Sequence, residues 1–308
     1  MNVTPPAPAQ TDLQTLRLGH SPDPDDAFMW WPLADFVGPD GQTYTPQIDT
    51  GGYRFVHVLE DIQSLNDRSE KAELEVTAIS IHQYPFVAKD YALTACGSSM
   101  GDGYGPMIVS KQAMTPEQLR GRKLAIPGWR TTAWLSCQLF LAELGMSAAD
   151  VQAEVVEFDQ IIEAVVAGQY DAGLIIHEGQ ITYQDQGVSL VRDLGVWWGE
   201  TRNLPLPLGG NAIRRDLGEA LPAITRILKD SIEHALANRE DAVRFALQYG
   251  RGLDTALADR FVGMYVNDVT LDYGDRGRAA VQQLMDEAVA AKLVPALPGG
   301  AVDFIDPE

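Results

Sequence analysis

The sequence predicts an α/β protein of two lobes with a cleft between them, the periplasmic-binding-protein-like (type II) fold, and three observations lead there. Short apolar runs alternate with helical patterns, as βαβ units do. A second block with the same rhythm interrupts the first. The last third of the chain reads as helix alone. At 308 residues the chain has room for two lobes of about 100–200 residues each. Residues 1–106 with 215–308 are expected to form the first and residues 107–214 the second.

The elements follow in order. Residues 1–14, rich in Pro, Ala and Gln, read as a loose tail, and "LRLGH" (16–20) as the first strand. "SPDPDDAFMWWPLADF" opens a helix: Asp23 stands at the cap, Pro24 at the first helical position, Asp25 and Asp26 in the first turn. A strand near 53–58 ("YRFVHV"), a helix near 60–70 and a strand at 74–79 ("LEVTAI") come next. Ser80 and Gln83 have capping-box spacing, which predicts a short helix ending before Pro85. The glycine-rich "ACGSSMGDGYGPMIVSK" (95–111) ends in a strand and marks the crossing between lobes. Beyond it come "KLAIP", a helix from Thr131 or Thr132 to Leu144 stopped by Gly145, "AEVVEF", a helix over 160–167 stopped by Gly168, and "AGLII". "LPLPLGGNAIRRD" (204–216) is extended and is expected to return alongside 107–110. Helices near 219–237, 239–249, 254–266 and 276–291 close the chain, with Ile224, Ile227, Leu228, Ile232 and Leu236 at helical spacing.

Charge narrows the partners. Against 23 Lys and Arg stand 43 Asp and Glu, a formal net charge of −20. Such a surface repels nucleic acid and anionic membranes. A small anion is still a fitting ligand where helix N-termini and backbone amides receive it. Cys96 and Cys137 form no CxxC pair, and His20, His57, His82 and His234 show no HxH, HxxxH or HExxH spacing, so neither a disulfide nor a metal site is expected. No GxGxxG follows a strand, and neither GxxxxGK[ST] nor GxSxG occurs, so no nucleotide cofactor is expected. The paired tryptophans at 30–31 and 197–198 read as core rather than cleft wall. "MNVTPPAPAQTDLQT" carries no basic start and no apolar signal stretch, and no run of about 18 apolar residues occurs, which predicts a cytoplasmic protein.

In open α/β sheets, ligands bind at the carboxyl ends of the strands. Polar groups cluster at four such ends: Ser21–Asp26, Ser80–Gln83, Thr131–Thr132 and His177. Each has two readings. Thr131 and Thr132 open a helix whose free N–H groups grip a carboxylate, with Arg130 as a nearby cation, or they simply cap it. Ser21, Asp25 and Asp26 contact a ligand or only fix a helix start. His177, in "DAGLIIHEGQITY", is a general base, mostly neutral near pH 7, or the hydrogen-bonded end of a strand. Glu178 orients it or points outwards.

Seven stretches together resemble one known family. They are "SPDPDDAFMWWPL", "EVTAISIHQY", "GYGPMIVS", "IPGWRTTAW", "DAGLIIHEGQITY", "DLGVWWGETRNLPLPLGGNAIRRDL" and "YVNDVTLDYGDRGRAAVQQL". In this order, over roughly 16–292, the chain resembles the 1,4-dihydroxy-6-naphthoate synthases of the futalosine route to menaquinone. The resemblance implies a lyase that fragments cyclic dehypoxanthinyl futalosine to 1,4-dihydroxy-6-naphthoate without a redox cofactor. Carried over by motif, His177 is the general base, and Thr132–Ala133 and the turn Ala78, Ile79, Ser80 contact substrate. Many members have Cys and Asn where this chain has Asp23 and Asp25, a departure expected to bring extra negative charge towards an anionic substrate. Two other readings stand beside this one: a chorismate dehydratase of the same pathway, against which the "LIIHE" block speaks, and a solute-binding protein for a small carboxylate.

Overall fold

The computed structural model describes residues 13–177, 179–250 and 254–308. Strands β1 (Gln14–His20), β2 (Tyr53–Leu59), β3 (Val76–Ser80), β4 (Tyr91–Thr94) and β5 (Ser99–Gly101) lead to a second set: β6 (Met107–Ser110), β7 (Lys123–Ile126), β8 (Gln152–Val155), β9 (Ala172–Ile175) and β10 (Ser189–Asp193). Then β11 (Leu206–Arg214) and β12 (Phe304–Ile305) rejoin the first set. The helices are α1 (Pro24–Trp30), α2 (Ile62–Ser69), α3 (Tyr84–Val87), α4 (Thr132–Glu143), α5 (Ile161–Val166), α6 (Gly179–Thr182) and α7 (Leu194–Arg202). The C-terminal part adds α8 (Leu221–Ala237), α9 (Arg239–Ala246), α10 (Thr255–Tyr265), α11 (Asp268–Leu271) and α12 (Gly274–Ala290).

Two sheets result. One runs β12-β4-β11-β3-β1-β2 with β5 also on β11; the other runs β10-β6-β9-β7-β8. Within the first, β1 is parallel to both β2 and β3, while β11 is antiparallel to β3 and sets Gly209 against Ser80 and Asn211 against Ala78. Within the second, β7 is parallel to β8 and β9, and β6 is antiparallel to β9 and β10. The stretch 204–216 therefore does not return alongside 107–110. Its hydrogen bonds go to β3, β4 and β5, and the neighbour of β6 is β10.

Local chemistry explains most element ends. Thr131, in extended conformation, caps α4 by accepting the Trp134 N–H at 3.2 Å, and Gly145 takes a φ of +68° just beyond its end. The strand predicted from Leu16 begins at Gln14 because β2 pairs with it from that residue on. Ser80 does not cap a helix. It ends β3, and Asn66 satisfies both its N–H (2.9 Å) and its Oγ (3.1 Å). Pro85 lies inside α3 rather than after it, since a proline in the first turn gives up an N–H that has no partner there. The tail at 1–12 and the role of Glu178 fall outside the described residues.

Apolar faces meet as the patterns predict. Ile224, Ile227, Leu228 and Ile232 of α8 are buried with Phe28, Met29 and Trp30 of α1. Trp30, Trp197 and Trp198 are core residues, as are both cysteines. At Gly195 a Cβ would fall 1.9 Å from the Tyr104 carbonyl oxygen, so only glycine lets α7 pack against the connection between β5 and β6.

Glu75, just before β3, ties three strands. It accepts from the Arg17 backbone N–H (2.9 Å), Nε (2.8 Å) and Nη2 (2.7 Å), and Arg214 at the end of β11 lies 3.0 Å away. Burial alone would raise its carboxyl; the Arg17 bonds and the two guanidinium charges outweigh it and hold the carboxyl at about 2. Glu75→Gln is expected to cost about 2 kcal/mol at neutral pH, the scale of hydrogen bonds to a charged group. Because the folded group titrates below the free value of 4.5, this contribution is present above that pH and is lost as pH falls towards 2. Thermal melts of both proteins should therefore converge in acid, and a constant gap would refute the assignment.

Candidate active site

The carboxyl ends of β1, β3, β7 and β9 deliver their turns to one cleft between the two sheets, with about 770 Å³ of space that is partly open to solvent. All ten residues singled out from sequence line it: Ser21, Asp25, Asp26, Ala78, Ile79, Ser80, Thr131, Thr132, Ala133 and His177. Apolar wall comes from Met29, Ile62, Ile176 and Leu208. Among the described residues no lysine or arginine lines this cleft. Arg130 is turned away: its guanidinium stacks 3.6 Å over the Phe86 ring and lies 3.8 Å from Glu70. An anion here must be met by uncharged donors.

The N-terminus of α4 supplies some of them. By helix geometry the amides of Thr132 and Ala133 have no partner within the helix, and the dipole favours negative charge at this end. The Thr132 hydroxyl is already used across the cleft. It donates to the Leu208 carbonyl on β11 at 2.5 Å and accepts the His82 backbone N–H at 3.2 Å. His82 Nδ1 donates to the Thr131 carbonyl at 3.1 Å, and burial lowers the imidazole to about 4, so it is neutral in this clasp near pH 7.

His177 follows β9 with a φ of +54°, a left-handed conformation uncommon for a side chain of this size. Gln180 holds that backbone. Oriented by its surroundings, its amide oxygen accepts the His177 N–H at 3.3 Å and its N–H donates to the Gly105 carbonyl at 2.8 Å. The Phe158 ring packs against the imidazole, with centroids 4.9 Å apart. Nδ1 lies 3.4 Å from Oδ2 of Asp23, whose side chain is 2% exposed. That separation is an electrostatic contact longer than a normal hydrogen bond. A carboxylate there favours a proton on Nδ1 and leaves Nε2 as the basic atom.

The three aspartates of "SPDPDD" divide the work in a way their spacing does not show. Asp23 has the extended backbone of a cap but makes no capping bond; it faces His177 instead. Asp26 accepts the Ser21 N–H (2.7 Å) and hydroxyl (2.9 Å), fixing the turn after β1. Burial pushes the Asp25 carboxyl up to about 8, the Asp26 and Asp23 charges act in the same sense, and His177 opposes them. Burial and like charge thus favour the protonated form of Asp25, opposite in direction to the expectation that this position adds negative charge. Asn211, Gln180 and Tyr265 also line the cleft and were not anticipated, since nothing in their local sequence separates them from core residues. Among the described residues, no three His, Cys, Asp or Glu side chains are placed to hold a metal ion, and no helix is long and apolar enough to cross a membrane.

Comparison with known proteins matches this geometry to a family. Residues 16–290 match the family described as Menaquinone biosynthesis. A 1,4-dihydroxy-6-naphthoate synthase of Streptomyces coelicolor is 36% identical, covering 94% of this chain and 98% of the relative. The enzyme of that name from Thermus thermophilus is 35% identical, covering 93% and 98%. A crystal structure of an Archaeoglobus fulgidus protein superposes with a TM-score of 0.79 at 42% identity, covering 91% of this chain and 98% of that one. The alkanesulfonate-binding protein of Xanthomonas axonopodis pv. citri, at 16% identity and a TM-score of 0.64 over 94% and 96% of the two chains, shares the periplasmic-binding-protein-like fold. A match over nearly the full length, together with relatives this similar from end to end, makes the chain a member of the menaquinone biosynthesis family, among the enzymes named 1,4-dihydroxy-6-naphthoate synthase.

Proposed function

We propose that the cleft binds cyclic dehypoxanthinyl futalosine and fragments it to 1,4-dihydroxy-6-naphthoate, with His177 as general base. The observation that carries this reading is the placement of the His177 imidazole on the cleft wall, with a carboxylate behind Nδ1 and a helix N-terminus in the same cavity. Nε2 removes a proton from carbon or hydroxyl of the bound substrate, and collapse of the resulting anion expels the sugar-derived fragment. Aromatisation of the naphthoate ring makes that collapse favourable. The substrate carboxylate sits at the start of α4, against the amides of Thr132 and Ala133 and the polar turns at Ser21 and Ser80. Apolar wall on both sides suits an aromatic body and keeps water from the anion. Substrate held in this way gains several powers of ten in rate from positioning alone.

The test is direct. Purified protein mixed with cyclic dehypoxanthinyl futalosine, with no added metal or nucleotide, is expected to yield a mass equal to that of the naphthoate. Recovery of the compound intact would leave a binding protein and sink the lyase reading.

A further inference from the structure

Asp25 stands apart from the carboxylates on either side of it. Asp26 is met by two donors of Ser21, and Asp23 lies off the cleft wall beside the imidazole of His177, whereas Oδ1 of Asp25 is buried on the cleft wall and meets no donor among the described residues. The residue is 8% exposed. The titratable groups around it are Asp23 and Asp26 on its own turn, His177 after β9, and Tyr265 of α10. The other helices packed on α1 send their charges elsewhere. Arg239 of α9 lies over the Phe28 ring and bonds to Asp259, and His234 of α8 lies against Trp31. Three carboxylates in one turn, shielded from water beside the imidazole of His177 and with that of His20 near Asp23, do not all ionise. Asp25, buried on the cleft wall with an oxygen that no described group meets and with like charges on both sides, is the one that retains a proton.

We propose that Asp25 is a neutral carboxylic acid in the cleft and donates its O–H to an anionic oxygen of the substrate. This rests on the reading of the cleft as the site of an anionic substrate, and it explains how a cavity with two aspartates and, among the described residues, no lysine or arginine on its wall receives one. An ionised Asp25 would present like charge to the same oxygen. Proton occupancy at this one carboxyl therefore sets affinity, and rising pH weakens binding before it disturbs the base.

Linkage gives a readout that needs no substrate. A carboxyl that ionises near 3.8 in the unfolded chain but near 8 in the fold makes the folded state hold the extra proton between those values. Wild-type stability accordingly falls with rising pH across that window. Asp25→Asn lacks the titration, so its Tm advantage over wild type should grow from pH 4 to pH 8 and level off above. Parallel curves overturn the proposal. With cyclic dehypoxanthinyl futalosine, wild-type KM should rise about ten-fold between pH 7 and pH 9, the change one deprotonation near pH 8 imposes. Asp25→Asn, which keeps an N–H donor, should show a KM flat over that range and below that of Asp25→Ala. A flat wild-type KM, or equal KM in the two variants, overturns the donor role. If wild type does not turn the compound over, the lyase reading fails on its own, and the Tm comparison still decides whether Asp25 holds the proton.

Discussion

Replacing His177 by alanine is expected to lower kcat by about 10²–10⁴-fold, the contribution of a positioned general base, with a much smaller change in KM. The imidazole is part of the cleft wall rather than of the core, so its loss leaves the fold's packing intact. One complication is the backbone: alanine inherits the φ of +54° that histidine tolerates here. Asparagine occupies that region more readily, so His177→Asn is the matched variant, and it should lose as much turnover without the backbone penalty. Single-turnover rates, with folding checked by melting, separate the two effects. Near-normal turnover in both variants would remove His177 from the chemistry.

Asp23→Asn is the second large effect. The amide keeps the size of the side chain and removes the charge 3.4 Å from Nδ1. A carboxylate beside an imidazole stabilises the protonated ring, so without it the limb on which activity falls in acid should move to lower pH. The ring also loses the partner that orients it. A fall in kcat of about 10–100-fold is expected, the scale on which carboxylates behind working imidazoles act. KM should change little, because Asp23 is not on the cleft wall. If neither kcat nor the acid limb moved, the contact would be structural only.

How much of this was readable in advance depends on the range of the interaction. The cap at Thr131 and the stop at Gly145 were legible because both are settled within a few residues. The four strand ends were legible because alternation of strand and helix fixes which end faces the crevice. Pairing was not. The pattern of 204–216 shows an extended segment but not whether β3 or β6 receives it, and "SLVRD" of β10 is too short and too exposed to announce a strand. Asp23 read as a cap because its position before Pro24 satisfies every local rule. Its partner lies in another sheet's loop, and only the assembled cleft brings them together. Asn211 enters the site through the register that sets it against Ala78, and Tyr265 through the packing of α10; neither is written in nearby residues.

The contact between Asp23 and His177 also bears on timing. One partner begins α1, built on the first sheet, and the other follows β9 of the second. Any motion that separates the sheets breaks the pair and leaves a less basic ring in an open cleft. On the proposed reading of His177 as general base, the ring is then most basic only while substrate is enclosed, so a reactive anion is not formed where water could quench it. The same attraction resists reopening, and an enzyme arranged in this way trades faster proton removal for slower departure of its product.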